Sequence, residues 1–169
     1  MAFPMRKSTN IGTMQETTSD IKSSRRKTSL IDLYNYAEER GIDVDWVSMR
    51  RADSLSVELP DGSQCIAMDP WKMDTAAKET VALGHELGHC SSGGFYNRFA
   101  KRDVMKKHEN RADKWAIKKL IPAKELNTAV AEGHTELWDL ADYFGVTEDF
   151  MRKAVCWYTY GNLDTELYF

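Results

Sequence analysis

The sequence predicts an α+β domain, mostly helical, with a small antiparallel three-stranded sheet. Three observations carry that expectation. Short alternating stretches cluster between residues 42 and 68, and everything after Asp74 runs at helical spacing. A chain of 169 residues suffices for one domain with a sizeable core and is too short for two comfortable ones. Charged residues make up 29% and hydrophobic ones 42%, an ordinary soluble globular balance. No apolar run approaches the roughly 20 residues of a membrane span, and the first 30 residues lack the apolar core of a secretory signal.

Residues 1–28 stand apart. Six basic residues (Arg6, Lys7, Lys22, Arg25, Arg26, Lys27) face two acidic ones (Glu16, Asp20), so this tail carries +4 and the remaining body −7. The formal charge of −3 therefore describes neither part, and it excludes a strongly basic nucleic-acid binder on bulk grounds. Rich in Ser, Thr, Lys and Arg, with no period, the tail is expected to be disordered. The three cysteines, Cys65, Cys90 and Cys156, form no CxxC pair, which argues against a disulfide framework or a cysteine zinc site. A reducing cytoplasm is the expected compartment.

The domain is expected to span 29–160. Ser29 to Asp32 has the form of a capping box, with Leu30, Leu33, Tyr34 and Ala37 following at helical spacing and Gly41 as the stop. Ile42, Val44 and Trp46 alternate with aspartates, and Leu55, Val57 and Leu59 alternate with polar residues. The run Cys65-Ile66-Ala67-Met68 follows the turn Pro60-Asp61-Gly62-Ser63, which predicts a hairpin. Helices are expected over about 74–90 (with Asp74 as N-cap), 104–120, 123–132, 135–144 and 148–159, divided by Gly93-Gly94, Pro122, Gly133 and Gly145. Residues 161–169 carry no pattern and read as a C-terminal tail.

The chemistry sits in His85-Glu86-Leu87-Gly88-His89, an HExxH motif. On a helix, positions i and i+4 lie one above the other, so both imidazoles address one point, as zinc ligands must. Glu86 projects beside that pair without ligating. A third ligand is expected from the next helix, whose buried stripe runs Met105, Glu109, Ala112, Ala116 and Leu120. Two carboxylates on such a stripe, Glu109 and Asp113, are costly to bury unless a cation or donors satisfy them. A metal on His85, His89 and Glu109 satisfies the first, and Asp113 would accept a hydrogen bond from a ligand histidine's other ring N–H. Surface ion pairs are the plainer reading of both acids. One zinc ion per chain is expected, although two imidazoles and a carboxylate also accept manganese or iron.

These motifs, together with Glu109-Asn110-Arg111-Ala112-Asp113-Lys114-Trp115-Ala116, Leu120-Ile121-Pro122 and Leu140 to Thr147, resemble the ImmA/IrrE-type metallopeptidases. The stretch Cys90 to Tyr96 is similar to a variant found in bacterial mobile elements and prophages. The resemblance covers about residues 66–160. It implies a minimal zincin, helices around a small sheet, that cleaves a partner transcriptional repressor. In that chemistry Glu86 takes a proton from the attacking water and returns it to the leaving amine, while zinc polarises the scissile carbonyl. A further donor to the developing oxyanion is expected. Tyr96 and His108 are candidates, Tyr96 being equally suited to the core and His108 pointing away from Glu109 on its helix. Cys90 reads as a small buried hydrophobe, and Gly84 and Gly88 as sites of close packing.

Residues 135–159 have the outline of a helix-turn-helix, but the second helix opens on Glu148 and Asp149, and from His134 to Tyr160 five acids face Arg152 and Lys153. That face repels a phosphate backbone. The sequence therefore points to a narrow-specificity zinc endopeptidase acting on a protein partner, with no membrane and no direct nucleic-acid contact. Two other readings stay open: a regulator that sequesters a repressor without cleaving it, and a DNA-binding regulator acting through the terminal pair.

Overall fold

Ser29 caps the first helix as the sequence expects. In the computed structural model, which describes residues 27–93, 95 and 101–169, helix α1 runs Leu30–Glu39. The Asp32 amide donates to Ser29 Oγ at 3.3 Å and the Ser29 amide donates back to Asp32 Oδ2 at 2.7 Å, a complete capping box. The expected disordered tail lies outside the described residues except for its last two. Those are held: Lys27 Nζ donates to the Tyr143 carbonyl at 2.8 Å and Thr28 Oγ1 to that of Lys119 at 2.9 Å.

Strands β1 (Ile42–Trp46), β2 (Ser54–Glu58) and β3 (Gln64–Met68) form one sheet in the order β1-β3-β2. The expected hairpin is present, with β2 and β3 antiparallel around a turn in which Gly62 takes φ +84°. The sheet is nevertheless mixed, not antiparallel throughout, because β1 pairs parallel to β3. β3 inserts between β1 and β2, so the strand carrying the unbroken apolar run becomes the central one, with Ile66 and Met68 fully buried. Alternation marks the two faces of a strand and is silent about its neighbours.

β2 carries a second departure. Its register opposes Ser54 to Met68 and Ser56 to Ile66, so the serines share the inner face with buried core residues. Leu55 and Val57 occupy the outer face and are 49% and 37% exposed. The strand's polar face is the one turned inward.

Five helices follow: α2 (Ala76–Ser92), α3 (Arg102–Leu120), α4 (Ala123–Ala131), α5 (Leu137–Phe144) and α6 (Glu148–Tyr160). The N-cap of α2 is Thr75, whose Oγ1 accepts from the Lys78 amide at 3.2 Å, while the expected cap, Asp74, pairs with Lys78 Nζ. α2 is the central helix and α3 its main partner. A Cβ on Gly88 would lie 2.6 Å from the Ala112 carbonyl oxygen, so only glycine allows the two backbones to meet there. Gly84 has the same purpose against the Leu120 side chain, less stringently. Thr147 caps α6 by accepting from the Phe150 amide at 3.3 Å. Residues 161–169 are more than a loose end: Tyr168 stacks on Tyr160 with centroids 3.7 Å apart, and Cys156 Sγ contacts the Asp164 carbonyl at 3.6 Å. No described helix is long and apolar enough to cross a membrane.

Candidate metal centre

His85 and His89 lie one turn apart on α2, their ring centroids separated by 4.7 Å and their planes by 81°. Their Nε2 atoms approach to 3.0 Å. The crossing at Gly88 and Ala112 sets what stands opposite them. Glu109 lies one turn before Ala112 on α3, and its carboxylate meets both rings, Oε2 at 3.1 Å from His85 Nε2 and Oε1 at 3.5 Å from His89 Nε2. Among the described residues these three form the group able to hold a metal ion.

The donor set tests well against such an ion. Two imidazole nitrogens facing each other at 3.0 Å share a single proton in an N–H···N bond, whereas a shared cation takes a lone pair from each. Ligands on a tetrahedron with bonds of about 2.0–2.1 Å stand about 3.3–3.4 Å apart. The three separations here, 3.0, 3.1 and 3.5 Å, bracket that value.

Asp113 lies one turn further along α3 and fixes His85 from behind. Its Oδ1 is 2.9 Å from His85 Nδ1, the contact expected from the sequence, which directs Nε2 at the cluster. The second oxygen accepts from Lys153 Nζ on α6 at 2.8 Å. The expected stripe on α3 is correct in phase but reversed in depth for its acids. The Asp113 side chain is 12% exposed, whereas that of Glu109, at the rim, is 40% exposed.

The electrostatics follow from these contacts. Burial pushes the His85 pKa down, but its bonds to Asp113 and Glu109, with the charge of Glu86 added, outweigh that and lift it to about 9. Burial likewise opposes the Asp113 charge, and His85 and Lys153 overcome it, holding the carboxyl below its ordinary range. The cluster favours positive charge at its centre, whether proton or metal.

Glu86 sits on the same turn, buried, and stays out of the ligand group. One of its oxygens, Oε1, accepts from Ser54 Oγ at 2.7 Å. Sequence reasoning missed Ser54. The inverted face of β2 delivers it, and only the pairing with buried Met68 reveals that inversion. The loop before Ser54 is pinned at two points: the Met49 amide donates to Asp69 at 2.8 Å, and Lys72 Nζ donates to the Ala52 carbonyl at 2.8 Å.

A cleft of about 400 Å³ opens beside the cluster, lined by Asp53 and Ser54, by Lys72 and Met73, by the outer face of α2, and by Thr147, Phe150 and Lys153 of the α6 end. A larger hollow of about 650 Å³, bounded by Arg152, Thr165, Glu166 and Phe169, gathers none of the cluster residues.

Of the remaining candidates, Tyr96 lies outside the described residues, and His108, half-buried on α3, is not part of the ligand group. Cys90 is buried, and desolvation followed by the charge of Glu86 pushes its thiol up to about 12, which suits the packing role expected of it. His134 bonds Asp139 at 2.9 Å and leans on the Tyr143 ring, tying down the start of α5. No protein-family model matches the chain, and no curated protein is similar to it, so the likeness of its paired motifs to a metallopeptidase family rests on the residues themselves.

Proposed function

We propose that this protein is a zinc-dependent endopeptidase of narrow specificity, working in the cytoplasm on a partner transcriptional repressor. The observation that carries the reading is Glu86. A purely structural metal site has no use for a buried carboxylate that is not a ligand, yet here one is held beside the cluster by a dedicated hydroxyl. The cleft supports it too, since it leads from solvent to His85 and Glu109.

His85, His89 and Glu109 would hold the ion. When bound, it supplies Lewis acidity that polarises a peptide carbonyl and makes water easier to deprotonate. Asp113 keeps the His85 ring in the tautomer that presents Nε2. Ser54 fixes Oε1 of Glu86, which leaves Oε2 to take a proton from the attacking water and deliver it to the leaving amine nitrogen. Three unpaired thiols, two of them buried, suit a reducing compartment.

Glu148 and Asp149 weigh against a DNA-reading role for the terminal pair. They take the two terminal guanidinium nitrogens of Arg152 at 2.9 Å, leaving an acidic first turn where phosphate contacts are needed.

The test is a set of three variants co-expressed with a helix-turn-helix repressor partner. Glu86→Gln is expected to retain one zinc per chain and to lose cleavage, while His85→Ala and Glu109→Ala lose both. Undiminished cleavage by Glu86→Gln would sink the mechanism. Repressor inactivation by Glu86→Gln without cleavage would favour sequestration instead.

A further inference from the structure

Asp113 is almost wholly buried, and both oxygens of its carboxylate are taken by partners drawn from different helices. His85 Nδ1 on α2 occupies Oδ1 at 2.9 Å, and Lys153 Nζ on α6, forty residues away in sequence, occupies Oδ2 at 2.8 Å. A carboxylate bound at both oxygens by two different helices is restrained against rotation, so the plane that orients His85 is set partly by α6. The other cation of α6, Arg152, is spent on Glu148 and Asp149 of its own helix, and Lys153 is the one that reaches across. Charge points the same way. Glu86, Glu109 and Asp113 bring three negative charges to this corner, and a divalent ion together with Lys153 balances them, whereas an unbalanced charge is expensive in a half-dry site.

We propose that Lys153 is a positioning residue of the metal centre: through Asp113 it aims His85 at the ion, which makes the terminal helix pair a working part of the site and not a separate recognition module. The inference rests on the reading of His85, His89 and Glu109 as metal ligands.

Cobalt and zinc binding to the full chain provide the test, because neither needs a substrate. Lys153→Met keeps the aliphatic stem and removes the donor. It is expected to release metal about tenfold faster, the lower end of the effect typical for groups that support a ligand, and to shift the visible absorption of bound cobalt. Lys153→Gln, too short to reach Oδ2, is expected to match it and guards against a misfolded methionine variant. Lys153→Arg is expected to restore both the release rate and the spectrum. In an Asp113→Asn background, Lys153→Met is expected to add nothing further, as a residue acting through Asp113 must. Wild-type metal release and cobalt absorption in both Lys153→Met and Lys153→Gln would overturn the inference alone, as would an equal effect in the Asp113→Asn background. A wild-type chain that takes up neither cobalt nor zinc would overturn the metal reading and this inference together.

Discussion

The candidate metal centre has two walls of different kinds. On one side α2 and α3 supply His85, Glu86, His89, Glu109 and Asp113 from two short segments, each residue one helical turn or less from the next. On the other side β2 and α6 supply one side chain each, Ser54 and Lys153, which touch the first group from a distance in sequence of 32 and 40 residues. The helical wall carries the candidate ligands and Glu86. The opposite wall decides where those groups point. Local periodicity specifies the first and only the packed fold creates the second.

That contrast breaks most severely at the helical wall. Gly88→Ala puts a methyl group against the Ala112 backbone, and a backbone cannot turn aside as a flexible side chain can. Overpacking of this kind costs about 1–3 kcal/mol, and thermal unfolding should report it as a clear fall in melting temperature. Because Glu109 is carried by the displaced helix, zinc affinity should fall in the same variant. A Gly88→Ala protein of unchanged stability would mean that the crossing is looser than the two backbones imply.

The next effect is one of pH. With the His85 pKa raised to about 9, the folded metal-free chain binds a proton more tightly than the unfolded chain, whose histidine titrates near 6.5. The stabilisation is fully present below about pH 6.5 and is lost as pH rises through about 9. Urea unfolding in a chelator should therefore give a lower midpoint at pH 9.5 than at pH 6. Metal must displace that same proton, so below pH 9 the apparent zinc affinity should drop about tenfold per unit as pH falls. Calorimetric titration in buffers of different ionisation heat counts the proton released.

The narrowest effect, confined to turnover, tests the opposite wall. Ser54→Ala removes a hydroxyl donor from a buried carboxylate, a loss of about 1–3 kcal/mol in the interaction of that group. Zinc content should be unchanged while cleavage of the partner slows. A loss of zinc equal to that of Glu109→Ala would place Ser54 among the supports of the ligands and erase the distinction between the two walls.

The sequence is most informative where a helix alone determines the outcome. The pair at positions 85 and 89, the acid at 109 and an Asp113 placed to hold a ligand histidine all follow from a period of 3.6 residues; the structure brings these groups together and shows the histidine to be His85. The Ser29 capping box and the Gly41, Gly93 and Gly145 stops are equally local, each glycine taking a left-handed φ between 62° and 66°. What fails is whatever needs a partner chosen at long range. The parallel pairing of β1 depends on β3 inserting beside it, and alternation carries no record of that. The inverted face of β2 runs against the usual rule that apolar residues face the core, and the reason becomes visible only with Ser54 seated on Glu86. Lys153 enters the sequence only as one of two cations among five acids, and its reach to Asp113 exists once α6 is packed. The fold of 161–169 back onto α6 depends on a stack between Tyr160 and Tyr168 that no period announces.

The contact of Gly88 with Ala112 makes the two helices behave as crossed rods resting on a fulcrum. Glu109 rides on one rod about 4.5 Å from that pivot, three residues at a rise of about 1.5 Å each. A rotation of about 10° would swing it by about 0.8 Å, several times the roughly 0.2 Å within which metal–ligand distances are kept. An ion bound there would act as a gauge of the crossing angle, holding the rods at a single setting. Anything that levers α3 against α2, from the distant end of either helix, would register first as a change in how firmly the ion is held.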